Sequence, residues 1–391
     1  MPDIKAIQNE LRAGKIDGWL FYDFHHRDPI ASRVLGLAAG MATRRWFYLI
    51  PAKGEPRKLV HRIESAMLDS LPGEKILYAG KEELTKGLAK LLGRSKKLAM
   101  QYSPNNRIPY VSMVDAGTVE LVRSYKKTVV TSAELVQKFE ARWTPDQLQS
   151  HLQAGRVIDG IIQQAFGQAG SYVIQRKPLT EYALQQWIIE QFKSNLLMAE
   201  DEPIVAVGPN SGDPHYGPKA GASRPIQAGD FLLIDMWAKT RAPDSVYYDI
   251  TWVGYLGSKV PEKYEKIFNI VKGARDSAVN FVLDSVKDGR RIQGWQVDKA
   301  ARDVIRKAGY GKYFVHRTGH NIGINVHGNG ANMDGLETMD DRSIVPHTCF
   351  SVEPGIYMPE FGVRSEVNVY VADRQARVTG AIQNEVIPIL A

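Results

Sequence analysis

The chain has 391 residues, 44% of them hydrophobic and 24% charged, with a net charge of +7, a globular composition too long for one ordinary core. No run of about 18 uncharged apolar residues occurs, which excludes an apolar membrane-spanning helix, and the opening MPDIKAIQNELRAGKIDGWL has no apolar stretch of signal-peptide type. The single cysteine, Cys349, cannot form an internal disulfide; its flanks, HTCFSVEP, read as a buried strand, and a reducing cytoplasm is the expected setting.

The charge is uneven: residues 1–131 carry a net +9 and residues 132–391 a net −2. The basic residues of the first part are scattered, as in Lys96-Lys97 and Lys126-Lys127, without interleaved aromatics. That pattern describes a solvated surface, and neither nucleic acid nor membrane is expected as a partner. In chain order, DIKAIQNELRAGKIDGWLFYD begins as an amphipathic helix and ends as a strand. RWFYLIPAKGEPRKLVHRIE has two apolar runs about a Pro/Gly turn, a hairpin pattern. Residues 82–92 have helical periodicity, and KKLAMQYS returns to a strand. Residues 1–131 therefore read as an α/β domain without a catalytic cluster.

A second domain, 132–391, begins with helical sequence. Thr144-Pro145-Asp146 offers a hydroxyl cap, a proline in the first turn and an acid at the positive end of the helix dipole. TEYALQQWIIEQFKSNL, capped by Thr180, predicts a second helix. From residue 204 onward short apolar strands alternate with Gly/Pro loops, and GARDSAVNFVLDSV and WQVDKAARDVIRKAG supply two more helices.

Two acid-bearing hairpins carry the chemistry. FLLIDMWAKTRAPDSVYYDITWVGY holds Asp235 and Asp249, one in each apolar run, with Tyr247, Asp249 and Thr251 on one face of the second strand. CFSVEPGIYMPEFGVRSEVNVYV repeats the pattern with Glu353 and Glu366, and Arg364 shares a face with Glu366. Between them, RTGHNIGINVHGNG places His320 and His327 among glycines, with His316 just before; the whole chain has only nine histidines. An acid in an apolar strand is costly unless paired, hydrogen-bonded or metal-bound. Four such carboxylates drawn together repel one another unless cations neutralise them. Two divalent ions about 3.5–4 Å apart would do so, activating water and polarising a carbonyl. Oxygen ligands with one imidazole suit Mn²⁺, Co²⁺, Fe²⁺ or Zn²⁺.

The order Asp235, Asp249, His320, Glu353, Glu366, with GHNIG, FSVEPGIY and GVRSE around the last three, resembles the M24 "pita-bread" metallopeptidases, in the branch of aminopeptidase P and prolidase. The resemblance spans residues 204–388, and the helices before them fit the same domain. It implies an α+β fold: a C-terminal pita-bread domain of curved antiparallel sheet and covering helices, after a smaller creatinase-like α/β domain. It implies two divalent metals, manganese first among the candidates. Asp235 would chelate one, His320 and Glu353 the other, and Asp249 and Glu366 would bridge both. A metal-bridging water or hydroxide would attack the substrate, with Glu353 accepting a proton. His215, in GPNSGDPHYGP, would contact substrate; His327 would steady the tetrahedral intermediate; His316 would lie near substrate; Arg364 would support the second ligand-bearing strand. The other histidines, including His151 and His347, read as structural.

The implied activity is hydrolysis of Xaa-Pro bonds in short peptides by a cytoplasmic homodimer. The alternatives are a metal-dependent hydrolase or lyase of the same fold acting on a small non-peptide substrate, and a non-catalytic binding module. Three departures bear on the pocket. Gly328 follows the second loop histidine where family members often have an acid, Trp252 stands where many have arginine, and the turn between the aspartates is long.

Overall fold

Residues 2–38 and 40–391 are described by a computed structural model of the chain. In the first unit, Met1–Glu140, strand β1 (Gly18–Asp23) is buried along its whole length, because helices cover both faces of its sheet. β2 (Trp46–Pro51) and β3 (Arg57–His61) form the expected hairpin, with Phe47 opposite Leu59. With β4 (Glu74–Tyr78), β5 (Lys97–Met100) and β6 (Thr128–Thr131) they make a six-stranded sheet in the order β4-β3-β2-β1-β5-β6. Strand alternation sends Trp19 and Phe21 to the face covered by α1 (Ile4–Ala13) and α2 (Pro29–Leu35). Leu20 and Tyr22 point to the face covered by α3 (Lys81–Leu92) and α4 (Ala116–Ser124). Asp3, Asp28 and Asp115 cap α1, α2 and α4 through backbone N–H groups. The short helix α5 (Ala133–Val136) buries Ala133, Leu135 and Val136 in the core of this unit. This packing carries the division to Glu140, past the boundary near 131 read from the sequence.

The second unit, Ala141–Ala391, opens with α6 (Pro145–Ile174). Thr144 and Gln147 exchange side-chain and backbone hydrogen bonds in a capping box at its start. α7 (Glu181–Ser194) starts at Thr180, whose hydroxyl accepts the Ala183 N–H. These two helices bury Ile158, Ile162, Leu184 and Ile188 against the inner side of a sheet. That sheet contains β7 (Leu197–Met198), β8 (Ile204–Val207), β9 (Phe231–Thr240) and β10 (Tyr248–Tyr255). β9 is paired on one edge by β7 and then β8, and on the other by β10. α8 (Glu262–Lys287) and α9 (Gly294–Lys307) pack with Phe231, Val253, Val352 and Val367 in another core. α8 is longer than the segment GARDSAVNFVLDSV suggested. It starts eleven residues before Gly273, because Tyr264, Ile267, Phe268 and Val271 extend the same buried stripe.

The remaining strands are β11 (Asn321–Ile322), β12 (Thr348–Val352), β13 (Gly355–Tyr357), β14 (Gly362–Arg364), β15 (Val367–Val371), β16 (Ala376–Thr379) and β17 (Ile387–Pro388). The second acid-bearing hairpin is interrupted where two continuous strands were expected. Its outer half pairs β13 with β14 and its inner half pairs β12 with β15. Val352 faces Val367 and Gly355 faces Arg364, so one register runs through the break. Pro354 has no N–H for the ladder. At the break the Glu353 N–H goes instead to the Thr318 carbonyl (2.7 Å) and the Glu366 N–H to the Thr251 carbonyl (3.2 Å). The interruption thereby ties the hairpin to the histidine loop on one side and to β10 on the other. Among the described residues no helix is long and apolar enough to cross a membrane.

Candidate metal centre

On β9 and β10, Thr251 lies opposite Asp235 and Trp237 opposite Asp249. Directly opposed residues of an antiparallel pair share a face, so these four side chains leave the sheet together. Glu353 and Glu366 approach them from the two breaks of the interrupted hairpin. His320 enters from the glycine loop, where its N–H donates to the Ser351 hydroxyl (2.9 Å) and its carbonyl accepts the Ser351 N–H (2.9 Å). The loop lies so close to β12 that a Cβ on Gly319 would fall 1.9 Å from the Ser351 carbonyl oxygen. Glycine is required there for proximity.

His320 Nδ1 is 3.2 Å from the Asn321 carbonyl, which accepts its proton. The lone pair then sits on Nε2, 3.5 Å from Asp249 Oδ2 and 3.3 Å from Glu353 Oε1. Asp249, His320 and Glu366 each offer an atom within 4.8 Å of the others. Asp235 is held differently: Oδ1 accepts the Thr251 hydroxyl (2.9 Å) and Oδ2 pairs with Arg364 Nη2. The Thr251 hydroxyl also lies 2.9 Å from Glu366 Oε2 and accepts from Arg364 Nε (2.9 Å). It is thus the junction between two acids and the buried arginine.

Burial pushes every acid of the cluster upward. Asp235 moves to about 6 despite Arg364, and Asp249 to about 7. Glu353 is raised, and Glu366 lies well above the usual carboxylate range, its burial reinforced by Asp249 and Glu353. Burial also lowers His320 and keeps its ring neutral. The Glu366 Oε1 atom is buried and finds no hydrogen-bond donor among the described residues. Four carboxylates face one guanidinium, so without a cation the excess negative charge is met by the acids holding protons, which a divalent cation would displace. An unprotonated imidazole nitrogen, an orphaned carboxylate oxygen and crowded acids together fit a divalent cation.

A cavity of about 120 Å³ opens onto this cluster, with His215, His327, Trp237 and Asp201 in its outer wall. The His327 ring stands edge-on to His320, centroids 4.3 Å apart. His320 and burial depress it to about 3. His215 sits on a loop organised by the buried carboxylate of Glu181, which accepts from Val207 N (2.8 Å), Asn210 Nδ2 (3.0 Å), the Tyr216 hydroxyl (2.6 Å) and Arg224 N (2.8 Å). His316, expected near substrate, is not brought to this wall. Its Nδ1 donates to the Arg317 carbonyl (2.6 Å) and its Nε2 meets the Tyr357 hydroxyl (2.7 Å), which in turn accepts from Arg364 Nη1 (3.1 Å). Arg302 of α9 donates to the His316 carbonyl (2.8 Å).

The departures noted in the sequence have separate consequences. Trp252 points away from the acids into the core under α6 and α7. A Cβ on Gly328 would meet Asn321 Oδ1 at 2.3 Å, and its N–H donates to the Asn321 carbonyl (2.7 Å). The segment after His327 is thus folded down onto Asn321. Sequence reasoning had Thr251 on the right face without its role. Trp237, two residues after Asp235, could have been placed by the same alternation. Nothing in the pattern pointed to Tyr357 or Asp201.

The fold and site define a two-unit protein whose second unit gathers carboxylates and an imidazole around a small cavity. The model of metallopeptidase family M24 matches residues 149–373, and the chain belongs to that family. A relative named Xaa-Pro dipeptidase from Lactobacillus helveticus is 30% identical over 237 residues, 60% of this chain and 58% of the relative. The chain spans about half the length of the curated relatives it matches. The solved structure of dipeptidase PepE from Mycobacterium ulcerans superposes with a TM-score of 0.72 at 23% identity, covering 98% of this chain and 96% of that one. A recombinant prolidase from Thermococcus sibiricus gives 0.64 at 25% identity, covering 98% and 97%. The α+β fold is therefore the pita-bread fold with its preceding smaller α/β unit.

Proposed function

We propose that this chain is a metal-dependent exopeptidase that hydrolyses Xaa-Pro bonds in short peptides. The observation that carries the reading is the lone pair of His320 Nε2 beside Asp249 and Glu353, with Glu366 grouped with Asp249 and His320 and its Oε1 left without a donor among the described residues. The names of the relatives support the substrate class. Asp235, Asp249, His320, Glu353 and Glu366 are assigned as ligands of two divalent ions, Mn²⁺ first, with Co²⁺, Zn²⁺ or Fe²⁺ as alternatives. Four carboxylates less one guanidinium leave three negative charges, more than one dication offsets, which favours two. When bound, such ions lower the pKa of water and polarise the scissile carbonyl.

The chain's own residues do the rest. Glu353, whose burial raises its proton affinity, takes the proton of the attacking water. His327, neutral and on the cavity wall, donates a hydrogen bond to the oxygen that gains charge at the tetrahedral stage. His215 contacts the substrate from the loop built on Glu181. Arg364 fixes Asp235 and Thr251. His316 acts as a positioning residue through Tyr357 and Arg364. Self-association as a homodimer belongs to the same proposal, as does a cytoplasmic setting, which the buried unpaired thiol of Cys349 suits.

The test is to strip the protein with chelator, restore Mn²⁺, Co²⁺ or Zn²⁺ separately, and assay Xaa-Pro dipeptides and an Xaa-Pro-Xaa tripeptide beside Asp249→Asn. Metal-dependent cleavage that the variant loses supports the reading, and the preferred length separates dipeptidase from aminopeptidase. Bound metal without cleavage of any peptide transfers the site to a small non-peptide substrate. Failure to bind metal removes catalysis and leaves a binding module.

A further inference from the structure

The edge of β9 beside the acids is irregular. Met198 of β7 pairs with Lys239, and Ile204 of β8 pairs with Asp235. Five residues, 199–203, therefore run past only three, 236–238. A bulge of this kind re-aims side chains, and such bulges recur beside functional sites. Here it sets Asp201 alongside Trp237, whose other neighbour across the sheet is Asp249. Asp201 and Trp237 both line the cavity. Apart from the acids already assigned, Arg364 and the histidines, the wall is Ile204, Pro214, Trp237, Val326 and Asp201. Asp201 is thus its one remaining formal charge.

That charge is not neutralised from within. Asp201 is exposed to solvent, and its carboxylate has no hydrogen-bond or ion-pair partner among the described residues. The cation on the neighbouring stretch of β9, Lys239, donates to the Ile324 carbonyl (2.6 Å) and lies over the Tyr247 ring. The acids answering its charge are Glu200 and Asp244. Beside Asp201, the Trp237 indole N–H is buried without an acceptor among the described residues, and its ring offers a face to a cation.

We propose that Asp201 and the face of Trp237 form a subsite for a lysine or arginine side chain at the Xaa position of the substrate. The inference rests on the Xaa-Pro reading above. Asp249 and the Asp201 bulge are two strand spacings apart, roughly 10 Å. A substrate α-ammonium stays about 2.5 Å from its own carbonyl carbon, two bonds away, so with that carbon held at the acids it lies on their side of the cavity, away from the bulge. Proline carries no second cation. The group that reaches the bulge from a carbonyl held at the acids is therefore the charged end of a long Xaa side chain, its methylene stem laid along the indole.

The experiment compares kcat/KM for Arg-Pro, Lys-Pro, Leu-Pro and Glu-Pro in the metal-loaded wild type, Asp201→Asn and Asp201→Lys. The wild type should favour Arg-Pro over Leu-Pro by about fivefold or more, mostly through KM, and less so at high salt. The ratio should fall toward one in Asp201→Asn and tip toward Glu-Pro in Asp201→Lys. Equal ratios in the wild type and Asp201→Asn overturn the subsite. Calorimetric binding of arginine amide against norleucine amide to the same proteins keeps the two readings apart. If no dipeptide is cleaved, Asp201-dependent preference for arginine amide retains the subsite and discards the Xaa-Pro reading. Equal binding of the two amides then discards the subsite as well.

Discussion

Replacing Thr251 by valine removes one hydroxyl and almost no volume, at a fully buried position. That hydroxyl accepts from Arg364 Nε and reaches Asp235 Oδ1 and Glu366 Oε2, each at 2.9 Å. It has a single proton, so at any moment it donates to one acid while accepting from the arginine. Valine therefore removes two hydrogen bonds to charged groups and leaves Arg364 Nε buried without an acceptor. At about 1.5 kcal/mol each, the low end for such bonds, a loss of about 3 kcal/mol is expected. For a unit of this size that corresponds to roughly 6–12 °C in Tm. Because Asp235 and Glu366 lose the donor that orients them, metal affinity should drop about 10–100-fold. Scanning calorimetry of the stripped protein and calorimetric titration with Mn²⁺ measure the two effects separately. Thr251→Ser, which keeps the hydroxyl and loses a methyl group, should hold metal affinity within about threefold of wild type. A valine variant with unchanged Tm and unchanged Mn²⁺ affinity would refute the claim that Thr251 organises the acids.

Three further outcomes are expected. Burial lowers His151 to about 4, so the unfolded chain binds its proton first and stability falls as pH drops from 6.5 toward 4; between pH 7 and 5 this costs about 2 kcal/mol. His151→Gln removes that component, and its Tm should fall less steeply over the same interval; parallel Tm profiles of the two proteins would count against it. Gly319→Ala drives a methyl group into the Ser351 carbonyl, 1.9 Å away, and should cost about 3 kcal/mol or more, with loss of metal binding; an unshifted Tm would show that the loop can move. Glu181→Gln turns an acceptor into a donor facing N–H groups of the His215 loop. It should raise KM for a Xaa-Pro dipeptide about tenfold with a smaller change in kcat, and an equal loss in both would place the effect elsewhere.

Much of this protein is legible in local sequence because the relevant physics is local. The Thr144 cap, the Thr180 cap and the turn between β2 and β3 are set by residues within a few positions of one another. Alternation along β9 and β10 puts Asp235, Asp249 and Thr251 on one face whatever the rest of the chain does. Acids in apolar strands signal a compensating partner, whether an ion pair, hydrogen bonds or a metal, because burying an uncompensated charge is costly. The register that sets Glu353 and Glu366 at matching breaks, in contrast, depends on Pro354 and on the Thr318 and Thr251 carbonyls, far apart in sequence. α8 was extended by a core that only α9 and the sheet complete. His316 stands four residues before His320 in a similar local context, yet tertiary contacts decide that one faces the acids and the other a tyrosine behind them. Asp201 lies in a bulge defined by the mismatch between two strand pairings. Sequence alone determined which residues could bear charge toward a cation. Only the tertiary structure decided which of them meet, because meeting depends on register and burial that no single segment contains.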